Sequence, residues 1–519
     1  MANPAIEKLI ESLDNDLPRS ALLQKKVPAL AEAFDAGRMK PTLQETLLGP
    51  DEGQYSIVEC IPAKALYLLD HVINMQYKLK LLDRSNNETI AILVNARLFP
   101  NAAACKAFLE QALMPVAARM DSRPEIKPFA RPVAILEHLN MTLSVYPIDG
   151  IIPTLVDATN TSKVASLFAE TIPEAVSGIF TIQDVHQFLA HYGRYKRCVL
   201  RYSIDGVQTE TQTPQNVTVY GKVDADGLGG VTVDIISALR ERLNEPELPY
   251  RFRIPRSLGF FPDFQLLLME ALPGKPFFKP LLKAWIENNN RQTTGNENLP
   301  HEEDATLEKA IQTCALIAAT LHGSNIQLGP RTTLEKQVDK LLEETEVLSQ
   351  VFPEVGAQVK SWINQTVEFA QAYPAMPACF SHGDFTYTQL IFDGKDGGLV
   401  DFDSICQAEP AQDLGHYLAY QRLNIIKDQD PNFPFPPEVI EHLCALFLDT
   451  YIDTAKAWIP DEVLLRGRVA IYELISLIRL TLHSWEKMKG SRLKQTMSLL
   501  EERIECQKQI SPSVNNKTP

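Results

Sequence analysis

The spacing of apolar residues divides the chain into a mixed first half and a largely helical second half. Residues 1–45 carry apolar side chains at helical spacing, as in IEKLIESL and VPALAEAF, and they predict helices. Residues 72–99 predict two strands joined by a polar turn at Asn86 and Asn87. The next predicted elements are a helix at 101–120, a strand at 140–155 that leads into a loop, and short helices at 161–172 and 182–192.

A second pair of strands is predicted at 197–224, and its layout resembles that of the first pair. Each pair has a Tyr-bearing strand, a polar loop of similar length and then a β-branched strand, so two interpretations stay open: an internal duplication of a small β unit, or two unrelated hairpins. A helix at 231–244 and a strand–turn–strand segment at 253–277 follow. From about residue 276 the pattern is helical apart from one hairpin, and 288–304 is the most loop-like insert.

Charge and cysteine usage narrow the class of protein. The 519 residues carry a formal net charge of -15, and such a surface repels phosphate backbones and anionic lipid. We therefore expect neither nucleic acid nor a membrane as a partner, and the first residues show no signal peptide. The eight cysteines are scattered without CxxC pairs, which is typical of reduced thiols in a cytoplasm. The sequence does not indicate an oligomeric state.

The candidate chemistry lies in residues 379–405, CFSHGDFTYTQLIFDGKDGGLVDFDSI. A hairpin between QLIF and GLVDF brings Gln389 near Asp401, and two oxygen donors of this kind suit Mg²⁺ bound together with substrate phosphates. Asp384, just before the hairpin, is placed to orient an incoming hydroxyl and accept its proton. Either acidic triplet alone is typical of solvated acids at an ordinary hairpin. Both together, followed by PAQDLGHYLAY, indicate a catalytic site.

This pattern resembles the aminoglycoside phosphotransferase and related small-molecule kinase family, within the protein-kinase-like fold. The family pattern is HGDxxxxN, a hairpin, D-F/W-D/E and then D-L-A/G, which residues 381–420 follow with Gln389 at the amide position. The resemblance implies that Asp384 is the catalytic base and that Gln389 and Asp401 hold Mg²⁺. It further implies that Asp413 braces the catalytic loop, with His382 and Asp403 as supporting residues.

The resemblance extends to a nucleotide site, although no GxGxxG motif precedes Lys222. Lys222 lies in a predicted strand and is implied to contact the α- and β-phosphates of ATP. Two acids of the following helix, Glu241 and Asp234, both qualify by position as its partner.

Two further segments complete the resemblance. The segment LLLMEALPG resembles the linker between lobes, and the backbone of Met269, Glu270 and Leu272 is implied to bind adenine. His322, at the end of ALIAATLHGSNI, is interpreted as structural.

The resemblance implies an α+β, two-lobed protein-kinase-like fold. Residues 1–190 form an accessory region, for which a duplicated small-lobe unit is one interpretation; residues 191–275 form the small lobe and 276–519 the helical large lobe. The implied activity is transfer of the γ-phosphoryl group of ATP, with Mg²⁺, to a hydroxyl of an aminoglycoside-, sugar- or amino-alcohol-like acceptor. A kinase-like scaffold with little or no activity is the alternative, because the glycine motif is missing and the partner of Lys222 is ambiguous. A protein kinase is disfavoured by the HGD triplet and by the lack of an APE-like segment.

Overall fold

The computed structural model describes residues 4–50, 53–120, 123–193, 196–245, 247–276, 280–283, 302–428, 437–459 and 461–510. Two antiparallel five-stranded sheets occupy the first half, and helices dominate the second. The predicted α+β class is therefore confirmed. Most of the predicted insert at 288–304 lies outside the described residues, and a helix begins at Glu302.

The first unit consists of short N-terminal helices and a five-stranded antiparallel sheet. Its helices are α1 (Pro4–Ser12), α2 (Ala21–Lys26), α3 (Leu30–Ala33) and α4 (Ala36–Leu43), as the apolar spacing predicts. Its strands are β1 (Tyr55–Tyr67), β2 (Ile73–Asp83), β3 (Glu88–Leu98), β4 (Val133–Leu136) and β5 (Met141–Val145), in the order β1-β2-β3-β5-β4. The predicted strand pair is β2 and β3, whereas β1 was not predicted. Helices α5 (Ala102–Phe108) and α6 (Met114–Ala117) lie between β3 and β4, within the helix predicted at 101–120, and Asn101 caps the first of them.

The second sheet has the same strand order as the first. Its strands are β6 (Phe180–Gly193), β7 (Arg197–Gln208), β8 (Pro214–Asp224), β9 (Ser257–Phe261) and β10 (Leu266–Glu270), in the order β6-β7-β8-β10-β9. Helix α10 (Gly229–Leu243) lies between its third and fourth strands, as α5 and α6 do in the first sheet. Three short helices precede the second sheet and pack into its apolar core: α7 (Leu155–Ala158), α8 (Thr161–Thr171) and α9 (Pro173–Val176).

The register also matches between the two sheets. In the first sheet the second residue of β5, Thr142, pairs with Arg97; in the second sheet the second residue of β10, Leu267, pairs with Lys222. Arg97 thus occupies the register position that Lys222 holds in the other sheet.

Two predictions from the sequence need correction in this region. The segment 182–192 was predicted as a helix but belongs to β6, which pairs with β7 from Phe180↔Gln208 to Gly193↔Arg197. Two register shifts interrupt this pairing, and they break the two-residue alternation by which a strand is recognised. Since β6 starts at Phe180, the predicted boundary at 190/191 falls inside a strand, and the second sheet begins about ten residues earlier.

The helical half surrounds a small set of short strands. Its helices are α11 (Glu302–His322), α12 (Leu334–Val351), α13 (Pro353–Ala370), α14 (Pro410–Asp428), α15 (Pro437–Ala455), α16 (Glu462–Glu486) and α17 (Gly490–Ile510). Its strands are β11 (Lys275–Pro276), β12 (Cys379–Ser381), β13 (Leu390–Phe392), β14 (Gly397–Leu399) and β15 (Cys406–Ala408). No helix within the described ranges is both long and apolar enough to span a bilayer.

The first sheet packs on the helical half rather than standing apart from it. The ring of Tyr67, at the end of β1, lies 5.0 Å from the ring of the buried Trp485 on α16. The N-terminal helices, this sheet and the large helices contribute to one continuous apolar core. The N-terminal helices and the first sheet are therefore anchored to the half of the chain that carries the candidate site.

Candidate active site

Buried hydrogen bonds fix the loop that carries the His-Gly-Asp triplet. The loop leaves β12, which pairs with β15, and the carboxylate of Asp413 on α14 accepts hydrogen bonds from the amides of His382 (2.6 Å) and Gly383 (2.8 Å). His322 Nε2 lies 3.1 Å from the same carboxylate, and the other nitrogen of His322 lies 2.8 Å from the hydroxyl of Tyr451. Burial alone would raise the pKa of Asp413, but the bonds and charge of His322 and His382 hold it below its usual value. An ionised Asp413 thus binds two backbone amides and sets the loop's path.

Gly383 makes the tight approach of this loop to the segment Phe402–Ser404 possible. Its φ of 76° lies in the left-handed region, and a Cβ there would overlap the carbonyl oxygen of Ser404. The loop therefore needs glycine both for its conformation and for space.

We expect Gly383→Ala to destabilise the chain by more than the roughly 1–2 kcal/mol that the left-handed conformation alone costs. Gly394→Ala is the matched control, because Gly394 also has a positive φ (96°) but no atom within 4 Å of the added Cβ. Urea unfolding of the two variants measures the difference. Equal losses would show that the contact with Ser404 adds nothing.

The hairpin of β13 and β14 brings three polar side chains together. Leu390 pairs with Leu399, so Gln389 and Asp401 lie at the same open end. Gln389 Nε2 lies 3.4 Å from Asp401 Oδ2 and 3.4 Å from Asp384 Oδ2. Asp401 itself has a φ of 68°, a conformation rare for residues other than glycine and common at functional positions. The three residues that the sequence predicts for phosphoryl chemistry thus form one cluster.

The donor set of this cluster fits a hard divalent cation. Asp401 and Gln389 offer a carboxylate and an amide oxygen, and the Asp401 side chain is 37% exposed, which leaves room for phosphate and water ligands. Among the described residues, no group of three or more His, Cys, Asp or Glu side chains is arranged around a common metal position. A cation held by Asp401 and Gln389 would need its remaining ligands from water or phosphate oxygens.

Lys222 reaches this cluster from the second sheet. Its ammonium lies 2.6 Å from Asp401 Oδ1 and also forms an ion pair with Asp403, whose side chain is buried. Its charge, together with that of His382, outweighs the effect of burial and lowers the pKa of Asp401. The lysine thus links β8 to the hairpin of the helical half.

The partner predicted for Lys222 is corrected by the structure. Glu241 and Asp234 are both exposed on α10, whose buried residues Ile235, Ile236 and Leu239 face the large continuous apolar core. The two acids are seven positions apart, about two turns, so they lie on the same solvent-exposed side of the helix. The acids at Lys222 are Asp401 and Asp403 instead.

Arg197 is a residue of the site that sequence reasoning missed. It lies 2.6 Å from Asp224 Oδ2, its register partner on β8, and 2.7 Å from Asp403 Oδ2, and so connects this end of the β7–β8 pair to the segment that follows the hairpin. Its only sequence signal is its place at the start of a strand, which is common for arginine.

The predicted linker between the lobes leads directly from the sheet to the hairpin. Met269 and Glu270 end β10, and the amide of Glu270 donates to the carbonyl of Arg256 (3.0 Å). The chain then passes Leu272 and enters β11, which pairs with β13. The backbone of this segment thus lies between the Lys222 sheet and the strand that follows Gln389.

His416 and Arg479, also missed from the sequence, surround Asp384. His416 Nε2 lies 3.0 Å from Asp384 Oδ1, and its other ring nitrogen lies 3.1 Å from the Ser476 hydroxyl. Arg479 Nη2 lies 3.5 Å from the same carboxylate oxygen and packs against the ring of His416. His416 is three residues after Asp413 on α14, a spacing that could have indicated it; Arg479, on α16, has no such signal.

These neighbours set the ionisation of Asp384. Burial would raise its pKa, but the hydrogen bond and charge of His416 and the charge of Arg479 outweigh burial, so its pKa is well below the usual range. Burial and then the charge of Arg479 lower the pKa of His416, which favours the neutral ring with Nε2–H donating to Asp384. Asp384 is therefore a fixed carboxylate at neutral pH that can accept a hydrogen bond from a hydroxyl.

Part of the chain matches a known protein family. Residues 249–433 match the sequence model of the phosphotransferase enzyme family, APH, and this range contains Asp384, Gln389, Asp401 and Asp413. The resemblance predicted from the motifs is thus confirmed for that part of the chain. No curated protein sequence matches the chain.

Several solved structures are similar to the chain. A choline kinase from Cryptosporidium parvum is 14% identical, with 67% of this chain and 95% of that chain covered and a TM-score of 0.43. An aminoglycoside 2′-phosphotransferase in a GDP complex is 12% identical, with 67% and 99% covered and a TM-score of 0.42. A choline/ethanolamine kinase family protein from Mesorhizobium loti is 14% identical, with 67% and 99% covered and a TM-score of 0.41.

Proposed function

We propose, from the match of residues 249–433 to the phosphotransferase enzyme family, that this chain transfers the γ-phosphoryl group of ATP to a hydroxyl of a small molecule with the help of Mg²⁺. The observation that carries the proposal is the convergence of Asp384, Gln389 and Asp401 at one end of the β13–β14 hairpin, with Lys222 reaching it from the sheet. Phosphoryl transfer needs these parts: a group that orients the hydroxyl, ligands for a cation and a positive charge for the nucleotide phosphates.

Asp384 would orient the acceptor hydroxyl. Because its pKa is low, the carboxylate is a weak base, and its contribution lies in aligning the hydroxyl for in-line attack and in taking the proton late. His416 fixes the carboxylate by donating to Oδ1, which leaves Oδ2 facing Gln389 and the hairpin. Correct positioning of this kind supplies much of the rate gain in such reactions.

Asp401 and Gln389 would hold Mg²⁺, which neutralises charge on the transferred phosphoryl group when bound. In the structure the amide of Gln389 donates to both carboxylates, so the same side chain would turn its oxygen to a cation. Lys222, now paired with Asp401 and Asp403, is proposed to contact the α- and β-phosphates. His382 and Asp413 support the loop, and Arg197 steadies Asp403.

The nucleotide base is proposed to bind at the backbone of Met269, Glu270 and Leu272. The position of this segment between the sheet and the hairpin supports the proposal. The eight cysteines are free thiols, which supports a reducing cytoplasm as the compartment in which the chain works.

We further propose that the chain holds two copies of one small-lobe unit, followed by a helical lobe from about residue 276. Equal strand order, equal placement of the intervening helices and the matched register of Arg97 and Lys222 support a duplication. Residues before Phe180 would then be an accessory region built around the first copy.

Thermal stability measured against Mg²⁺ and ATP tests the nucleotide site. At about one hundred times its dissociation constant, Mg²⁺·ATP should stabilise the wild type by roughly 2.7 kcal/mol. We expect Asp401→Asn to lose the Mg²⁺-dependent part of this gain, because it replaces the carboxylate that would bind the cation with a neutral amide. Asp453→Asn, at an exposed acid on α15, is the matched control. If millimolar ATP does not change the thermal stability of the wild type, the result would instead favour the kinase-like scaffold.

A further inference from the structure

The cleft at Asp384 contains a positive charge as well as the carboxylate. The Arg479 guanidinium lies 3.5 Å from Asp384 Oδ1, and the two side chains are 31% and 38% exposed. Since both are partly open to solvent and in contact, they face the same space. A molecule that places a hydroxyl at Asp384 therefore also meets Arg479.

Arg479 keeps most of its donors for a ligand. A guanidinium has five N–H donors in a planar fork. The hydrogen bonds that Arg479 forms with described residues all run through Nη2, to Asp384 and to the ring of His416. Nη1 and Nε are left for a carboxylate or phosphate, which arginine binds in a bidentate manner.

Two buried acids of the helical half, on α16 and just before α14, are already paired, so they offer little to a cation. Glu473 on α16 is buried and lies 2.7 Å from Arg422 and 3.4 Å from Arg503. Glu409 is buried and bound to Arg468, with Nε at 2.7 Å. With Asp384 balanced by Arg479, a cationic acceptor would gain little attraction and would meet an arginine.

A lysine of the first sheet contacts the second sheet at the end of β6. Lys64 Nζ, on β1, donates to the carbonyl of Tyr192 at the end of β6 (2.8 Å). Burial lowers the pKa of His191, the residue before Tyr192, and the positive charges of Lys64, Lys487 and Lys222 lower it further. The negative charge of Asp401 acts in the opposite direction. The side chains that pair directly with the carboxylates of the site are Lys222, Arg197 and Arg479, from two strands of the second sheet and one helix of the helical half.

We infer that the acceptor carries an anionic group, a carboxylate or a phosphate, close to the hydroxyl that receives the phosphoryl group, and that Arg479 binds this group. The inference rests on the proposed function. It distinguishes this chain from a kinase that acts on a cationic aminoglycoside or amino alcohol. Arg479 is then a specificity-determining residue, while Asp384 orients the hydroxyl.

The test uses the full chain and matched sets of hydroxyl compounds that differ in charge. One set is glycerol, serinol, glycerate and glycerol 3-phosphate; another is glucose, glucosamine, gluconate and glucose 6-phosphate. Formation of ADP gives kcat and KM, and thermal stability in Mg²⁺·ADP gives binding without turnover. We expect the anionic members to bind and react best, and comparison of the carboxylate with the phosphate members identifies the group.

Substitution of the arginine separates specificity from general damage. Arg479→Gln should raise KM for the preferred anionic compound by about tenfold to a hundredfold, which is the loss of charge-assisted hydrogen bonds. KM for the neutral member should change little, and Arg479→Lys should keep part of the preference. Arg466→Gln, at a half-exposed arginine on the same helix, is the control.

Other outcomes would overturn the inference. Best turnover of a neutral or cationic member, an anionic preference unchanged in Arg479→Gln, or no stabilisation by any anionic compound at millimolar concentration would each do so. If Mg²⁺·ATP still stabilises the wild type and not Asp401→Asn, the proposed function stands and only the anionic acceptor is rejected. If Mg²⁺·ATP has no effect, the proposed function fails first.

Discussion

Asp384→Asn is expected to lower kcat by about a hundredfold to ten-thousandfold, the usual contribution of a positioned general base. The amide keeps the shape of the side chain but removes the charge that accepts a hydroxyl proton. It also has one acceptor oxygen instead of two, so it cannot accept hydrogen bonds from both His416 Nε2–H and a hydroxyl as well as the carboxylate does. ADP formation with the best acceptor measures the effect.

Binding of Mg²⁺·ATP gives the control for this variant. Asp384 is not proposed as a cation ligand, so Asp384→Asn should keep the Mg²⁺·ATP stabilisation that Asp401→Asn loses. Asp453→Asn should keep both binding and turnover. A variant of Asp384 with normal kcat would remove this residue from the reaction and point to another group in the cleft.

Asp413→Ala is expected to have the largest effect on stability, a loss of about 3–5 kcal/mol, as when one partner of a buried charged pair is removed. The side chain is fully buried, and its removal leaves the amides of His382 and Gly383 and the ring of His322 without their acceptor. Urea unfolding followed by circular dichroism measures the loss.

A milder variant and a surface control show whether the hydrogen bonds are the cause. Asp413→Asn keeps one acceptor oxygen and should lose less stability than Asp413→Ala. Asp453→Ala, at an exposed acid paired with Lys456, should leave the midpoint of unfolding nearly unchanged. Equal effects of the alanine and asparagine variants at position 413 would mean that lost charge, rather than lost acceptors, determines stability.

The sequence predicted most of the secondary structure that positions the site. Strands β2, β3, β7 and β8 and helix α10 follow their patterns, because each has a clear apolar period with polar turns at its ends. Strand β6 was predicted as a helix, since its bulges break the alternation. Strand β1 was missed altogether, and the resemblance of the two sheets was visible only as two similar hairpins.

The residues of the candidate site were likewise predicted in part and missed in part. Asp384, Gln389, Asp401 and Asp413 lie within about thirty residues, so a hairpin and a following helix are enough to predict that they meet. Glu241 was predicted as a partner of Lys222 because a helix that follows the strand can supply an acid. The choice between that acid and Asp401 depends on how α10 is rotated, and its buried apolar face turns Glu241 to solvent.

The sequence by itself thus determined the motif and its hairpin, since local spacing sets which side chains share one end of a short element, and its family resemblance implied the chemistry that we propose. Tertiary structure alone decided what surrounds them. Arg479 is 95 residues from Asp384, and Lys222 is 179 residues from Asp401. Contacts across such distances depend on how whole helices and sheets pack, and no local pattern records that packing. The charge that an acceptor meets beside Asp384 is therefore a property of the fold.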